Sequence, residues 1–146
     1  MKLARSINAV VFDFDGTLVK LNINFSQMRE DVIGLIESYG VSPDGLRNLF
    51  VLEMIDAGKA LVNQKHPGRE NCFAKQAFDL IETIEVEAAK GGELIDGTQN
   101  MLVDLKKRNI KAGVVTRNCQ LAVLEVFPDI RDYCDAVITR ADFRRP

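Results

Sequence analysis

The chain has 146 residues, 47% of them hydrophobic and 27% charged, with a formal net charge of −2. That length suits one ordinary domain, or a small domain carrying an insertion, and the composition supports a soluble core and excludes a disordered chain. There is no basic field to hold nucleic acid, and no apolar run long enough to span a membrane.

The N-terminal MKLARSINAVVF holds two basic residues, but Asp13 soon interrupts the apolar run, so it reads as neither a signal peptide nor a membrane span. Residues 8–14, NAVVFDF, form an apolar run without alternation, which predicts a parallel strand buried on both faces and ending at Gly16. Residues 26–39 predict an amphipathic helix capped by Ser26. Its face carries Met28, Val32, Leu35, Ile36 and Tyr39, and Gly40 stops it. Ser42-Pro43 predicts the start of a second helix with Leu46, Leu49, Phe50 and Met54 on its apolar face, ending near Gly58. After the loop NQKHPGRE, a longer helix is predicted from about Glu70 to Lys90, with Phe73, Ala77, Leu80, Ile81, Ile84 and Ala88 on one side. Gly91-Gly92 stops it.

The pattern then changes. Asp96-Gly97 marks a turn, and Thr98 is placed to cap a helix with Met101, Leu102 and Leu105. Lys106, Lys107 and Arg108 sit in its last turn, where the helix dipole favours cations. Residues 110–116, IKAGVVT, predict a second buried strand. Asn118 is placed to cap the next helix, which holds Leu121, Leu124 and Val126 or Phe127 and ends at Pro128. Residues 135–139, DAVIT, predict a third strand. Strand, helical insertion, helix, strand, helix, strand is the alternation of a doubly wound α/β fold with the insertion packed as a separate helical unit.

The chemistry concentrates at the first strand. AVVFDFDGTLVKL places Asp13 and Asp15 two positions apart, followed by Gly16 and Thr17. Neighbouring carboxylates repel each other and lose hydration on burial, so they add no stability unless something binds them. Ligands of parallel sheets bind beyond the carboxyl ends of the strands, and side chains two apart in an extended segment face the same way. A hard cation such as Mg²⁺ would remove the repulsion between Asp13 and Asp15, and Gly16 with Thr17 could turn backbone N–H groups towards an anion. Thr116 ends the second strand at the same sheet edge, and Arg117 and Asn118 lead into a helix N-terminus, a ready phosphate site. Two carboxylates, a metal and a phosphate cradle point to phosphoryl transfer, with one aspartate attacking phosphorus and the other moving protons.

DFDGTL, residues 13–18, resembles the first motif of the haloacid dehalogenase-like (HAD) hydrolases, and VVTRN, residues 114–118, resembles their second. The helical insertion stands where that family carries its cap. ELIDGTQNMLVDLKKRNIKAGVVT resembles the segment returning from cap to core. The look is nearest to the phosphoglycolate phosphatase-like and β-phosphoglucomutase-like branches. The resemblance implies an α/β fold, a HAD-like Rossmannoid parallel core formed by 1–20 and 92–146, with a helical cap at 21–91 that closes over the site. It makes Asp13 the nucleophile and Asp15 the general acid/base. The Asp13 carboxylate and the Asp15 carbonyl would hold Mg²⁺, and Thr116, with the Arg117 or Asn118 amide, would hold the phosphate.

That family also carries a lysine after its third strand and an acidic pair after its fourth, and neither has a counterpart before Pro146. The last core strands are missing too, so the first strand is expected to be an open edge, either of a piece of a longer enzyme or of a chain completed by a partner. Arg144 or Arg145 is considered as a substitute for the lysine.

Elsewhere, His66 is expected to be a solvated loop residue, Lys106–Arg108 a helix end, and Glu82, Glu85 and Glu87 a solvated helix face. Phe25 and Tyr39 are expected in the core, with Phe25 alternatively lining the pocket. Cys72, Cys119 and Cys134 lack CxxC spacing. They are expected to be buried small hydrophobes in a cytoplasmic protein, with no disulfide or zinc. The expected function is Mg²⁺-dependent hydrolysis of a small phosphorylated metabolite through an aspartyl phosphate. The alternatives are a sugar phosphomutase and a silent binding module.

Overall fold

A computed structural model describes residues 7–144, with the side chain of Arg144 and all of Arg145 outside the described parts. The chain divides into two units. One ends its first segment at Asn22 and resumes at Glu85; the other is Ile23–Ile84.

The first unit is α/β. Strands β1 (Ala9–Phe12), β4 (Lys111–Val115) and β5 (Ala136–Ile138) form a parallel sheet in the order β1-β4-β5. A short antiparallel pair, β2 (Val19–Lys20) with β3 (Glu93–Leu94), joins the outgoing and returning chain segments. The sequence pattern did not reveal this pair, because two-residue strands are too short to show a period. Helix α4 (Thr98–Lys107) packs on β4, and the single turn α6 (Ile130–Tyr133) packs on β5 and α4. Phe14, Leu18, Leu102, Val114, Phe127 and Ile130 are fully buried here. Helix α5 (Gln120–Val126) follows β4.

The apolar run of β1 is not buried on both faces. Ala9 and Val11 are exposed, Val11 by 67%, and Val10 and Phe12 are half-buried. Among the described residues β1 pairs with β4 alone, so it stands at the edge of the sheet, as expected.

The second unit is helical: α1 (Phe25–Ser38), α2 (Val51–Lys65) and the larger part of α3 (Glu70–Lys90). Met28, Val32, Ile36, Met54, Ile55, Val62, Phe73 and Ile81 form its core. Asn24, not Ser26, caps α1, its side-chain oxygen accepting from Gln27 N at 3.1 Å. Residues 44–48 are turns, so α2 begins at Val51, later than Ser42-Pro43 suggested, and Phe50 is left 68% exposed as its N-cap. Gly58 does not end α2. It lies mid-helix, where an added Cβ would come within 2.9 Å of Phe73 Cζ and 3.1 Å of Ile36 Cδ1. This glycine serves close packing rather than termination.

Candidate active site

β1 delivers Phe12, after which burial alternates: Asp13 is exposed, Phe14 fully buried and Asp15 half-buried. This is the period of two that puts both carboxylates on the side opposite Phe14. The Phe14 carbonyl accepts from the amides of Thr17, Leu18 and Val19, so the chain reverses around one buried residue. Gly16 supplies the turn with φ of +80°, a conformation that costs any residue with a Cβ.

Both aspartates are held. Asp13 Oδ1 accepts from Phe14 N at 2.7 Å, and Asp15 Oδ1 accepts from Leu21 N at 3.0 Å. Each keeps a second carboxylate oxygen for other work. Gly16 N donates to the Val19 carbonyl at 2.8 Å and Thr17 N to Phe14 at 3.2 Å. These two amides close the turn, so they do not face an anion as expected. The place of Gly16 in the site is its φ.

The β1–β4 register pairs Phe12 with Val114, which carries Asp13 and Thr116 out of adjacent strands at the same edge of the sheet. Adjacent strands stand about 4.8 Å apart, and continuing the register sets Asp13 opposite Val115, one residue short of Thr116. Thr116 is 4% exposed, and its N–H donates to the Ile138 carbonyl at 2.9 Å. Its hydroxyl accepts from Asn118 N at 3.1 Å and keeps its own hydrogen to donate. The Asn118 amide is thereby engaged within the loop. The Asn118 side-chain Nδ2 is buried without a hydrogen-bond partner. A buried donor left unpaired is costly, and an acceptor such as an anion would satisfy it.

Asn118 does not cap α5. Cys119 does, its sulfur accepting from Ala122 N at 3.4 Å. Burial pushes the Cys119 thiol up to about 12; the Ala122 N–H pulls the other way, and the Glu85 carboxylate adds to the rise.

Sequence reasoning missed Glu85 and Arg140. Glu85 was expected on a solvated face, yet it is 5% exposed and Arg140 6%. Arg140 Nη1 lies 2.5 Å from Glu85 Oε1, and Glu85 Oε2 accepts from Cys119 N at 2.9 Å. Arg140 also donates from Nη1 to the Arg117 carbonyl at 3.0 Å and from its amide to the Asn118 carbonyl at 3.1 Å. A signal existed: Phe73, Ala77, Ile81, Glu85 and Ala89 recur every four residues, and all are buried.

His66 is exposed, with Nε2 3.0 Å from the Tyr39 carbonyl oxygen. Tyr39 packs edge-on against Phe73 with ring centroids 5.5 Å apart, but Phe25 is 54% exposed rather than core. Cys119 and Cys134 are buried as expected, whereas Cys72 is exposed. Lys106 and Lys107 end α4. Arg144 and Arg145, the candidates for a phosphate-neutralising cation, lie outside the described side chains.

Asp13 and Asp15 are hard oxygen donors suited to Mg²⁺. Asp13 keeps one carboxylate oxygen outside its bond from Phe14 N, and that oxygen with the Asp15 carbonyl would fit a shared cation as two of its ligands. Among the described residues no group of three or more His, Cys, Asp or Glu is placed to hold a metal ion. No described helix is long and apolar enough to cross a membrane.

Residues 10–146 match the model of a family described as haloacid dehalogenase-like hydrolase. A haloacid dehalogenase-like hydrolase domain-containing protein of Arabidopsis thaliana is 26% identical over 117 residues, covering 80% of this chain and 43% of that protein. A predicted phosphoglycolate phosphatase from Haemophilus somnus shares the fold with a TM-score of 0.58 at 13% identity, over 95% of this chain and 65% of that one. A β-phosphoglucomutase from Clostridium difficile does so at 0.57 and 18%, over 97% and 65%. The chain thus spans less than half the length of the plant relative and about two thirds of each of these structures.

Proposed function

The chain belongs to the haloacid dehalogenase-like hydrolase family, and on that footing we propose that it hydrolyses a small phosphomonoester through an aspartyl phosphate on Asp13. One observation carries this reading. The Asp13–Asp15 turn of β1 and Thr116 of β4 leave adjacent parallel strands at one edge, with an unpartnered buried amide, Asn118 Nδ2, in the same loop as Thr116.

With Phe14 N holding Asp13 Oδ1, the second oxygen of Asp13 is the attacking atom. It forms a bond to phosphorus as the bond to the leaving alkoxide breaks, and protonated Asp15 gives that alkoxide its proton. The Asp15 carboxylate then takes a proton from water. The resulting hydroxide attacks phosphorus, releasing phosphate and restoring Asp13. Leu21 N keeps Asp15 oriented through both steps. The Thr116 hydroxyl and Asn118 Nδ2 supply donors to the phosphoryl oxygens. The Asp13 carboxylate and the Asp15 carbonyl would hold Mg²⁺, which would supply positive charge against the phosphoryl group.

The test is Mg²⁺-dependent phosphate release by the chain from an aryl phosphate and from a panel of sugar and carboxylic-acid phosphates, beside Asp13→Asn. Release that vanishes in the variant supports the reading. Phosphate migration within a sugar, without release, would replace it with a mutase. Folded protein without turnover in the presence of Mg²⁺ would replace it with a binding module.

A further inference from the structure

The Thr116–Cys119 loop is gripped from outside its own strand and helix by one buried ion pair. Glu85 reaches the loop from α3, and Arg140 reaches it from just beyond β5. Between them they engage three consecutive residues: the Arg117 carbonyl, the Asn118 carbonyl and the Cys119 amide. Both side chains are more than nine-tenths buried.

We propose that Glu85 and Arg140 are positioning residues of the phosphoryl-transfer site, a buried clamp that sets where the Thr116 hydroxyl and the Asn118 side chain meet the phosphate. The inference rests on the phosphatase reading above and extends it to two residues that touch no substrate.

Two physical arguments favour positioning over stability. First, a buried ion pair is a poor source of net stability, because desolvation offsets its attraction, and well-packed apolar residues of similar size often do as well. Second, the partners chosen are backbone groups of the loop. Thr116 is tied to β5 through its own N–H. The residues after it leave the ladder before α5 begins at Gln120, so this stretch needs other anchors. A carboxylate on the Cys119 N–H and a guanidinium on the Arg117 carbonyl supply charge-assisted bonds with defined directions, and the Arg140 main-chain N–H holds the Asn118 carbonyl beside them. Glu85 Oε1 and Oε2 are both engaged, so rotation of the carboxylate would disturb the loop and Arg140 together.

The test compares the wild-type chain with Glu85→Gln, Arg140→Lys, the double variant Glu85→Met/Arg140→Met, and Asp13→Asn. Inorganic phosphate with Mg²⁺ is titrated against the amide resonances of residues 116–119, and kcat and KM are measured on an aryl phosphate. The double variant removes the clamp while leaving an apolar pair that packs, so it reports on positioning even where a single variant unfolds. The expected result is a folded double variant whose kcat falls on the order of 100-fold, with phosphate binding weakened, since displacement of about 1 Å costs that much. Arg140→Lys should recover part of the loss if it keeps the charge beside Glu85. Folded variants with wild-type kcat and phosphate affinity would overturn the clamp while leaving the phosphatase reading intact. So would losses that only track the unfolded fraction. A wild-type chain that neither binds phosphate nor turns over would overturn both. Asp13→Asn separates the two ideas, since it should abolish turnover with the loop amides unmoved.

Discussion

The Thr116 hydroxyl accepts the Asn118 N–H at 3.1 Å, so the residue that ends β4 also shapes the turn leading into α5. One oxygen thus has a structural bond and a chemical use. Thr116→Val keeps the side-chain shape and removes the acceptor. Leaving the part-buried Asn118 N–H unpaired should cost roughly 1–3 kcal/mol. A lowered denaturation midpoint with an unchanged m-value is expected, together with lost phosphate release. Thr116→Ser should restore both. A stable, active valine variant would remove Thr116 from the site.

The turn after Asp15 depends on Gly16 at φ +80°. An added Cβ meets nothing within 4 Å, so Gly16→Ala is a test of backbone strain alone. The left-handed conformation should cost on the order of 1–2 kcal/mol in thermal or chemical unfolding. Turnover should fall further than stability, because the same turn carries Asp15. An alanine variant as stable as wild type would mean that the turn had changed shape.

Much of the fold was legible because it obeys simple periods. The Phe-Asp-Phe-Asp alternation told which way Asp13 and Asp15 face, and the apolar side from Phe73 to Ala88 with the Gly91-Gly92 stop predicted the length of α3. What escaped has particular causes. Gly58 looks like a stop, but it is buried against Phe73 and Ile36, and close packing between helices leaves no local mark in sequence. Pro43 looks like a helix start, yet the chain makes turns until Phe50. Cys119 replaced Asn118 as the cap of α5, a role thiols rarely advertise. Glu85 was misjudged by its charge. Its position on the buried stripe was visible, but its partner lies 55 residues away, and long-range pairing has no sequence period.

The packing at Gly58 gives a prediction with two opposing terms. Gly58→Ala in a helix interior gains up to about 1 kcal/mol of propensity. Inserting a methyl 2.9 Å from the buried Phe73 ring should cost about 1–3 kcal/mol. The net expectation is a less stable protein, read from its denaturant midpoint. A rise in stability would show that Phe73 and Ile36 can shift at little cost.

The cysteines should separate by reactivity. Cys72 is exposed, while burial raises the thiols of Cys119, to about 12, and of Cys134. Thiolate is the reacting form, so near neutral pH iodoacetamide should label Cys72 and spare the other two until the protein unfolds. Peptide mapping by mass spectrometry checks this. Rapid labelling of Cys119 in folded protein would mean that the Thr116–Cys119 loop opens.

The acid side of the stability profile should depend on Asp135. Lys111 Nζ lies 2.7 Å from Asp135 Oδ1, and Ala112 N donates to Oδ2 at 3.0 Å. The Lys111 bond first, then the Ala112 N–H, holds this carboxyl below its ordinary value. The folded protein therefore binds that proton less readily than the unfolded chain. Its contribution is complete above the unfolded carboxylate value of about 4 and is lost as pH falls through the lower folded value. Asp135→Asn should consequently flatten the fall of the melting temperature over that acidic range, with a small loss at neutral pH because both partners of the ion pair reach solvent. An acid limb as steep in the asparagine variant as in wild type would show that other carboxylates set it.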